Sequence, residues 1–358
     1  MLERLGGHLE VVRSKIGALL ELEDEELIAA VGGRQRAAIV WEHSRFADDL
    51  ADQSRARARD AGLVLVCRCD PAYPPLLAAL PAPPAVLHVA GVSGRFRELC
   101  HADSVAIVGT RKASRYGLDV AAALGRGLGA AGVPVVSGMA LGIDGAVHSG
   151  VSAAAGGAVA VLPGAANRAY PKSKRRLHEA ILATGVAVSE FGPGSAIWRW
   201  SFQARNRIIA GLAVMTVVVE AGARSGSLET AGVAAQLRRS VGAVPGLVTN
   251  PGARGSNALL AGGATLVRDA QDVLDAVFGL GARYADADTR MRPTPRQAVL
   301  IGEIGSGRDT IAKLSLAQSE QGGSAETPRA EEILTELAVL ETAGWVRRGA
   351  GGRFRVLP

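Results

Sequence analysis

The middle of the chain is patterned as short, uninterrupted apolar runs separated by glycine-bearing turns and alanine-rich segments. The runs fall at residues 105–108, 133–136, 158–162, 186–189, 214–219, 241–244 and 265–267. Each is too short for a helix, and apolar residues follow one another instead of alternating with polar ones, which predicts strands covered on both faces. Helical segments such as 116–131 lie between them. Strand and helix in regular alternation predict an α/β fold: an extended Rossmann-like core with a mostly parallel sheet, over residues 61–280. Open sheets of this kind bind ligands at the carboxyl ends of their strands, where helix amino termini present free N–H groups.

The flanks carry other patterns. In residues 1–60, Leu9, Val12, Ile16, Leu19 and Leu20 recur at helical spacing, as do Leu27, Ile28 and Val31. This predicts an N-terminal helical domain, a small bundle or a relative of the helix-hairpin-helix. Residues 61–103 form a bridge into the core. Residues 62–69 read as a strand, and Pro71, Pro74, Pro75, Pro81, Pro83 and Pro84 predict turns flanking short strands, since proline removes backbone donors. Residues 281–295 are polar and contain Pro293 and Pro295, as a linker does. From 296 to 358, helical segments at 298–304, 311–314 and 331–342, with a loose insertion at 319–328, precede a basic hairpin around Gly349 and Gly352. That order predicts a C-terminal winged-helix-like domain.

Composition narrows the class. The chain has 358 residues, 48% hydrophobic and 21% charged, which describes a foldable protein of two or three domains and excludes a disordered one. No apolar run approaches the roughly 18–20 residues of a membrane span. The first residues mix charges with leucines and lack the apolar core of a signal peptide, so a cytoplasmic location is expected. Cys67, Cys69 and Cys100 form no C-x-x-C pair. They are expected as buried thiols of a reducing compartment, not metal ligands, and neither metal nor cofactor is expected.

Charge is unevenly placed. The net charge is +6, yet residues 104–280 alone hold 17 Lys/Arg against 9 Asp/Glu, so the rest of the chain is slightly acidic. A basic core suits a polyanionic partner. A general bias towards Arg, Ala and Gly produces the same excess.

The loops carry the candidate chemistry. Gly109-Thr110-Arg111 closes the first run, with Lys112 next. A dinucleotide fingerprint needs three glycines here, for the turn, the pyrophosphate approach and helix packing; only Gly109 is present, which excludes NAD and FAD. No G-x-x-x-x-G-K-[ST] loop occurs. Arg111 beside a helix start suits a phosphate held by backbone and guanidinium together, and also fits a tight turn with a surface arginine. A second loop holds Ser137-Gly138 and Gly142-Ile143-Asp144; Asp144 caps the next helix or contacts a ligand, and His148, one turn on, is expected to bond it. Tyr170-Pro171 leads into Lys172, Lys174, Arg175 and Arg176. An aromatic ring among cations suits a single strand, because any base stacks while the cations follow phosphates; a solvated helix start has the same composition. Arg205-Asn206-Arg207 is expected near a phosphate, while Trp198 and Trp200 suit core, subunit contact or stacking. The stretch 219–230 is a further strand-to-helix loop offering backbone donors to an anion.

In this order the motifs IVGTR, SGMALGID with AVH, VLPG with YP, SEFGPG, F-x-x-RNRIIAGL from Phe202, VVEAGARSGSLETA, AVPG and the GSN at 255–257 resemble the DNA-processing protein A (DprA/Smf) family. DPAYPPLL and PAPPAVLHVAG upstream match as well. The resemblance is dense over 61–278 and loose outside it. It implies an extended Rossmann fold that binds single-stranded DNA independently of sequence and catalyses no reaction on it. It also implies a homodimer, loading of the RecA recombinase, and a part in natural transformation and recombination. Carried over by position, the DNA site comprises Gly109, Thr110, Arg111, Ser137, Gly138, Gly142, Asp144, Tyr170, Pro171, Arg205, Asn206 and Arg207, with Lys112, Lys172 and Lys174 beside them. Three positions depart from the family pattern: Leu141 stands in place of Arg, Lys174 in place of Asn and Gln203 in place of Pro. Lys172 and Lys174 supply charge near the loop that Leu141 leaves without one.

Two other readings compete. Gly226-Ser227-Leu228-Glu229 faintly resembles the glycine loop of nucleoside-monophosphate phosphoribohydrolases, which release a free base. A transcription regulator would use the winged helix, but Glu331, Glu332, Glu336 and Glu341 on its candidate recognition helix repel phosphates.

Overall fold

The computed structural model describes residues 7, 9–32, 48–151, 157–285, 292–321 and 330–357. Most of the expected 319–328 insertion, the middle of the 281–295 linker and residues 33–47 lie outside them. The chain divides into two compact units, Met1–Ala285 and Asp286–Pro358.

A nine-stranded sheet carries the first unit. Its strands are β1 Val64–Cys67, β2 Val86–Gly91, β3 Val105–Val108, β4 Val135–Ser137, β5 Ala158–Val161, β6 Val186–Ser189, β7 Met215–Val218, β8 Ser240–Ala243 and β9 Thr265–Leu266. They lie in the order β1-β2-β6-β5-β4-β3-β7-β8-β9. From β6 across to β9 every pairing is parallel, while β1 and β2 extend one edge antiparallel. All seven expected runs become strands of this mostly parallel sheet.

The helices are α1 Ile16–Leu20, α2 Asp24–Gly32, α3 Asp48–Asp60, α4 Pro75–Ala78, α5 Ser93–His101, α6 Arg115–Ala130, α7 Ile143–Gly150, α8 Arg175–Thr184, α9 Arg199–Leu212, α10 Gly226–Gln236, α11 Arg254–Ala261 and α12 Ala270–Phe278. Two of them, α4 and α5, arise where only turns and strands are expected. Pro75 takes the first turn of α4, where no backbone donor is needed. In α5, Phe96, Leu99 and Cys100 sit three and four apart and are all buried.

Alternate residues of each central strand feed different layers. Val105 and Ile107 meet Val120, Leu124 and Leu128 of α6 and Ile143 and Val147 of α7. Ala106 and Val108 meet Ile208, Ile209 and Leu212 of α9. Both strand faces are thus covered by helices, the physical reason that the runs do not alternate. Helices α6 and α7 approach closely through small residues: a Cβ on Gly125 would strike the Val147 carbonyl, and one on Gly150 the backbone of Ala122.

The ends of α9 are both fastened. Arg239 donates to the carbonyls of Ala210 (2.6 Å) and Ala213 (2.9 Å) at its carboxyl end, and to Leu76 (2.5 Å). Arg239→Ala strands these acceptors and is expected to lower the unfolding free energy by about 2–3 kcal/mol, read by urea denaturation. At the amino end, Leu9, Ile16, Leu27 and Ile28 cluster with Phe191, Trp200 and Ala204, so Trp200 is a core residue.

The cysteines differ from expectation. Only Cys100 is buried; Cys67 and Cys69 are exposed. Cys67 ends an edge strand and the chain then turns outward, so a shared strand face does not mean an inner one. The Cys69 thiol donates to the Cys67 sulfur (2.8 Å), which holds Cys67 below the usual thiol range. Among the described residues no group of three or more His, Cys, Asp or Glu is placed to hold a metal, and no helix is long and apolar enough to cross a membrane.

The second unit holds α13 Pro295–Gly305, α14 Ile311–Gln321, α15 Ala330–Thr342 and an antiparallel hairpin, β10 Val346–Arg348 with β11 Phe354–Val356. Leu300, Ile304, Leu314, Ile333, Leu337, Leu340, Val346 and Phe354 form its core. On α15, Glu332 pairs with Arg296 (2.8 Å) and Glu336 accepts from Gln297 (2.7 Å), so two of its acids are engaged with α13.

Candidate nucleic-acid interface

From β3 the chain runs one way along the sheet through β4, β5 and β6, then returns to the other side of β3 at β7. Such a switch point opens a crevice at the carboxyl ends of the two strands. A cleft of about 450 Å³ lies there. Its lining comes from the loop after β3 (Gly109, Thr110, Arg111), Ala140 and Asp144 after β4, one face of α9, Ser225, Gly226, Ser227, Glu229 and Thr230 at the start of α10, and Arg13.

The loops are interlocked by backbone. The Thr110 N–H donates to the Glu220 carbonyl (2.7 Å), and the Ile143 N–H to the Thr110 carbonyl (3.3 Å). At Gly142, φ is +77° and a Cβ would collide with the Thr110 carbonyl, so the turn that opens α7 needs glycine. The Glu220 carboxylate accepts from the Ser114 N–H (3.0 Å) and hydroxyl (2.7 Å). Ser114 in turn caps α6 by accepting from the Gly117 N–H (3.1 Å). Glu220 therefore braces the first loop against β7.

Arg111 and Lys112 are exposed, with no carboxylate at ion-pair distance among the described residues. The Arg111 guanidinium stands over the Phe202 ring (4.6 Å to the centroid), and Phe202 meets Tyr170 (5.4 Å between centroids, tilted 57°). Two rings and a cation thus form one series beside the cleft. The Tyr170-Pro171 peptide is cis. A single turn, Lys172–Lys174, follows it. The Lys174 ammonium reaches over Gly145 in α7, and Leu141 is half exposed on the neighbouring loop.

Beneath the cleft the chemistry is internal. Arg205 and Asp144 form an ion pair (3.7 Å) whose side chains are 6% and 5% exposed. Burial raises the Asp144 carboxyl above its ordinary range, opposed by the Arg205 charge and the Ala140 and Gly109 N–H groups. Burial also lowers the Arg205 guanidinium, with Asp144 opposing. The Arg205 guanidinium fills the place where a Cβ of Gly138 would stand. His148 is buried, and neither ring nitrogen makes a well-formed hydrogen bond. Its expected bond to Asp144 is absent, since that carboxylate turns to Arg205. Burial pulls the His148 imidazole down to about 4, the Ser137 backbone opposing and the Arg205 charge adding to the shift.

Six of the residues expected from sequence line the cleft: Gly109, Thr110, Arg111, Asp144, Arg205 and Asn206. Tyr170 joins them through Phe202, with Pro171, Lys172 and Lys174 following it in the chain. Ser137 and Gly138 lie below; the Ser137 hydroxyl donates to the Ile107 carbonyl (2.7 Å). Arg207 stands apart, with its guanidinium 2.6 Å from the Glu190 carboxylate and both side chains largely buried. Sequence reasoning missed Arg13, Arg199 and Phe202 as lining residues. Arg199, Phe202, Gln203 and Asn206 are spaced i, i+3, i+4, i+7 and form one face of α9, a spacing visible in the sequence itself. Gln203 donates to Glu229 (3.3 Å) across the cleft wall.

Fold and cleft together define a Rossmann-like α/β protein with an arginine-lined crevice at its topological switch point. The chain belongs to the DNA recombination-mediator protein A family, whose model matches residues 64–278. It is 39% identical over 264 residues to a DNA processing protein DprA of Mycobacterium tuberculosis, covering 71% of this chain and 64% of that protein, just under two thirds of its length. The X-ray structure of DNA processing protein A from Streptococcus pneumoniae matches with a TM-score of 0.62 at 33% identity, over 72% of this chain and 87% of that one. The Helicobacter pylori DNA processing protein A, whose structure concerns its single-stranded DNA binding mode, shares the fold, with a TM-score of 0.53 at 24% identity over 60% of this chain and 96% of that one.

Proposed function

We propose that this protein binds single-stranded DNA without regard to sequence and catalyses no reaction on it. In this reading it acts as a homodimer in the cytoplasm and loads RecA onto the strand during natural transformation and recombination. The observation that carries the reading is the Tyr170–Phe202–Arg111 series at the cleft edge. Bases of any identity stack on the rings, while Arg111, Lys112, Lys172 and Lys174 meet phosphates. Arg205 and Asp144 neutralise one another and hold the loops, leaving these cations to the strand. Family membership and the single-strand binding of the Helicobacter protein support it.

The test is fluorescence anisotropy with oligo-dT and with duplex DNA of equal length, followed by RecA filament formation with and without the protein. Oligo-dT is expected to bind at least about tenfold more tightly than duplex, a difference of about 1.4 kcal/mol. Arg111→Ala and the Lys172→Ala/Lys174→Ala pair are each expected to weaken binding and flatten its salt dependence. Affinity unchanged in both variants rejects the site. Release of free base from a nucleoside monophosphate would favour the phosphoribohydrolase reading instead.

A further inference from the structure

The cleft has a second cationic wall that the stacking series does not use. Arg199, the first residue of α9, and Arg13, in the short turn before α1, line it. Arg199 is exposed and makes no ion pair with any described residue. Arg13 is about half exposed and, among the described residues, pairs only with Glu10, at 3.3 Å, in a surface pair of the weak kind. The other oxygen of Glu10 accepts from the Trp200 N–H (3.2 Å). One carboxylate thereby spans from the first turn of α9 to Arg13 and fixes that guanidinium at the cleft.

The placement is built into the core. Leu9, Ile16, Leu27 and Ile28 pack on Trp200 and Ala204, so the N-terminal segment is clamped to the inner face of α9. The outer face of the same helix carries Arg199, Phe202 and Asn206 into the cleft. The acids lining the cleft, Asp144 and Glu229, are engaged with Arg205 and Gln203 respectively. Arg111 and Arg199 therefore line the cleft without a counter-ion among the described residues, an arrangement that attracts an extended anion. Arg199 and Phe202 are three residues apart, about 4.5 Å along the helix axis.

We propose that Arg13 and Arg199 form a second phosphate subsite, and that the backbone of a strand stacked at Phe202 continues across α9 onto the N-terminal segment. The inference rests on the single-stranded DNA reading and extends it to residues outside the expected loops. The subsite takes phosphodiester oxygens and no base.

Anisotropy titrations over a salt series with the full chain test it, using a dT oligonucleotide long enough to cross α9 and a dT dinucleotide too short to do so. Arg13→Gln/Arg199→Gln is expected to bind the long strand about tenfold more weakly, with the salt slope reduced by about 1.4, the value for two single-strand phosphate contacts. Dinucleotide binding and Tm are expected to stay at the wild-type values. Arg199→Lys is expected to keep the wild-type slope, because it keeps the charge; loss of that slope overturns the phosphate role. A wild-type slope in the double variant, with Arg111→Ala weakened, overturns the subsite and leaves the DNA-binding reading standing. Wild-type affinity in Arg111→Ala and in the Lys172→Ala/Lys174→Ala pair as well rejects the cleft as the DNA site, and absence of oligo-dT binding by the wild-type chain overturns the reading itself.

Discussion

Arg205→Ala is expected to destabilise the fold by about 3–5 kcal/mol in urea denaturation at pH 7, the range for removing one partner of a buried ion pair. The loss comes from what is left behind. Asp144 stays buried, held by the N–H groups of Ala140 and Gly109 but without its counter-charge. The guanidinium also fills the space above Gly138, which the alanine leaves empty. Gly138→Ala perturbs the same contact from the other side, because its new methyl group displaces the guanidinium. Arg205→Met combined with Asp144→Leu is expected to cost far less than the two single losses added, since no buried charge remains. Arg205→Ala stability within about 0.5 kcal/mol of wild type would show that the pair does not hold the floor of the cleft. The two arginines of the cleft separate cleanly in this respect. Arg205→Ala loses stability and keeps the salt slope of DNA binding, whereas Arg111→Ala loses the slope and keeps stability.

That separation marks the boundary of what sequence reveals here. The sheet is legible because residues such as Val105, Ala106, Ile107 and Val108 are buried on two faces at once, and a four-residue apolar run between turns is too short to be a buried helix. The turns at Gly109 and Gly142 are legible because the Ile143 side chain at the first and the Thr110 carbonyl at the second leave no room for a side chain. An Arg-Asn-Arg triplet, by contrast, reads as three cleft residues, and only the fold shows that Arg205 lies under the loops and Arg207 faces Glu190. Their partners are set by tertiary packing, which local spacing does not encode. Arg13 is the extreme case: nothing near it in the chain indicates the cleft, and it arrives there because Leu9 and Ile28 pack against Trp200. Cys67 and Cys69 fail in the opposite sense, since period-two spacing assigns them a common face without saying which face is inner.

His148 is expected to make the fold acid-sensitive. Its imidazole is buried without a well-formed hydrogen bond, and its pKa falls to about 4 in the folded state, against an ordinary value of 6.5. Below pH 6.5 the unfolded chain takes up this proton and the folded chain does not, so stability falls with pH until about 4, where both states are protonated. The full loss from this group is about 3 kcal/mol. Asp144 works with the opposite sign: its carboxyl is raised, so the folded state gains a proton first and gains stability as pH falls. The comparison that isolates the histidine is therefore between wild type and His148→Gln, with Asp144 present in both. Urea denaturation at pH 7.0 and 4.5 is expected to show wild type losing about 2–3 kcal/mol more than His148→Gln over that interval. Equal losses in the two proteins would mean that the imidazole is protonated in the fold, with Asp144 or the Ser137 carbonyl as its partner, and that the pocket beneath the cleft accepts a second cation beside Arg205.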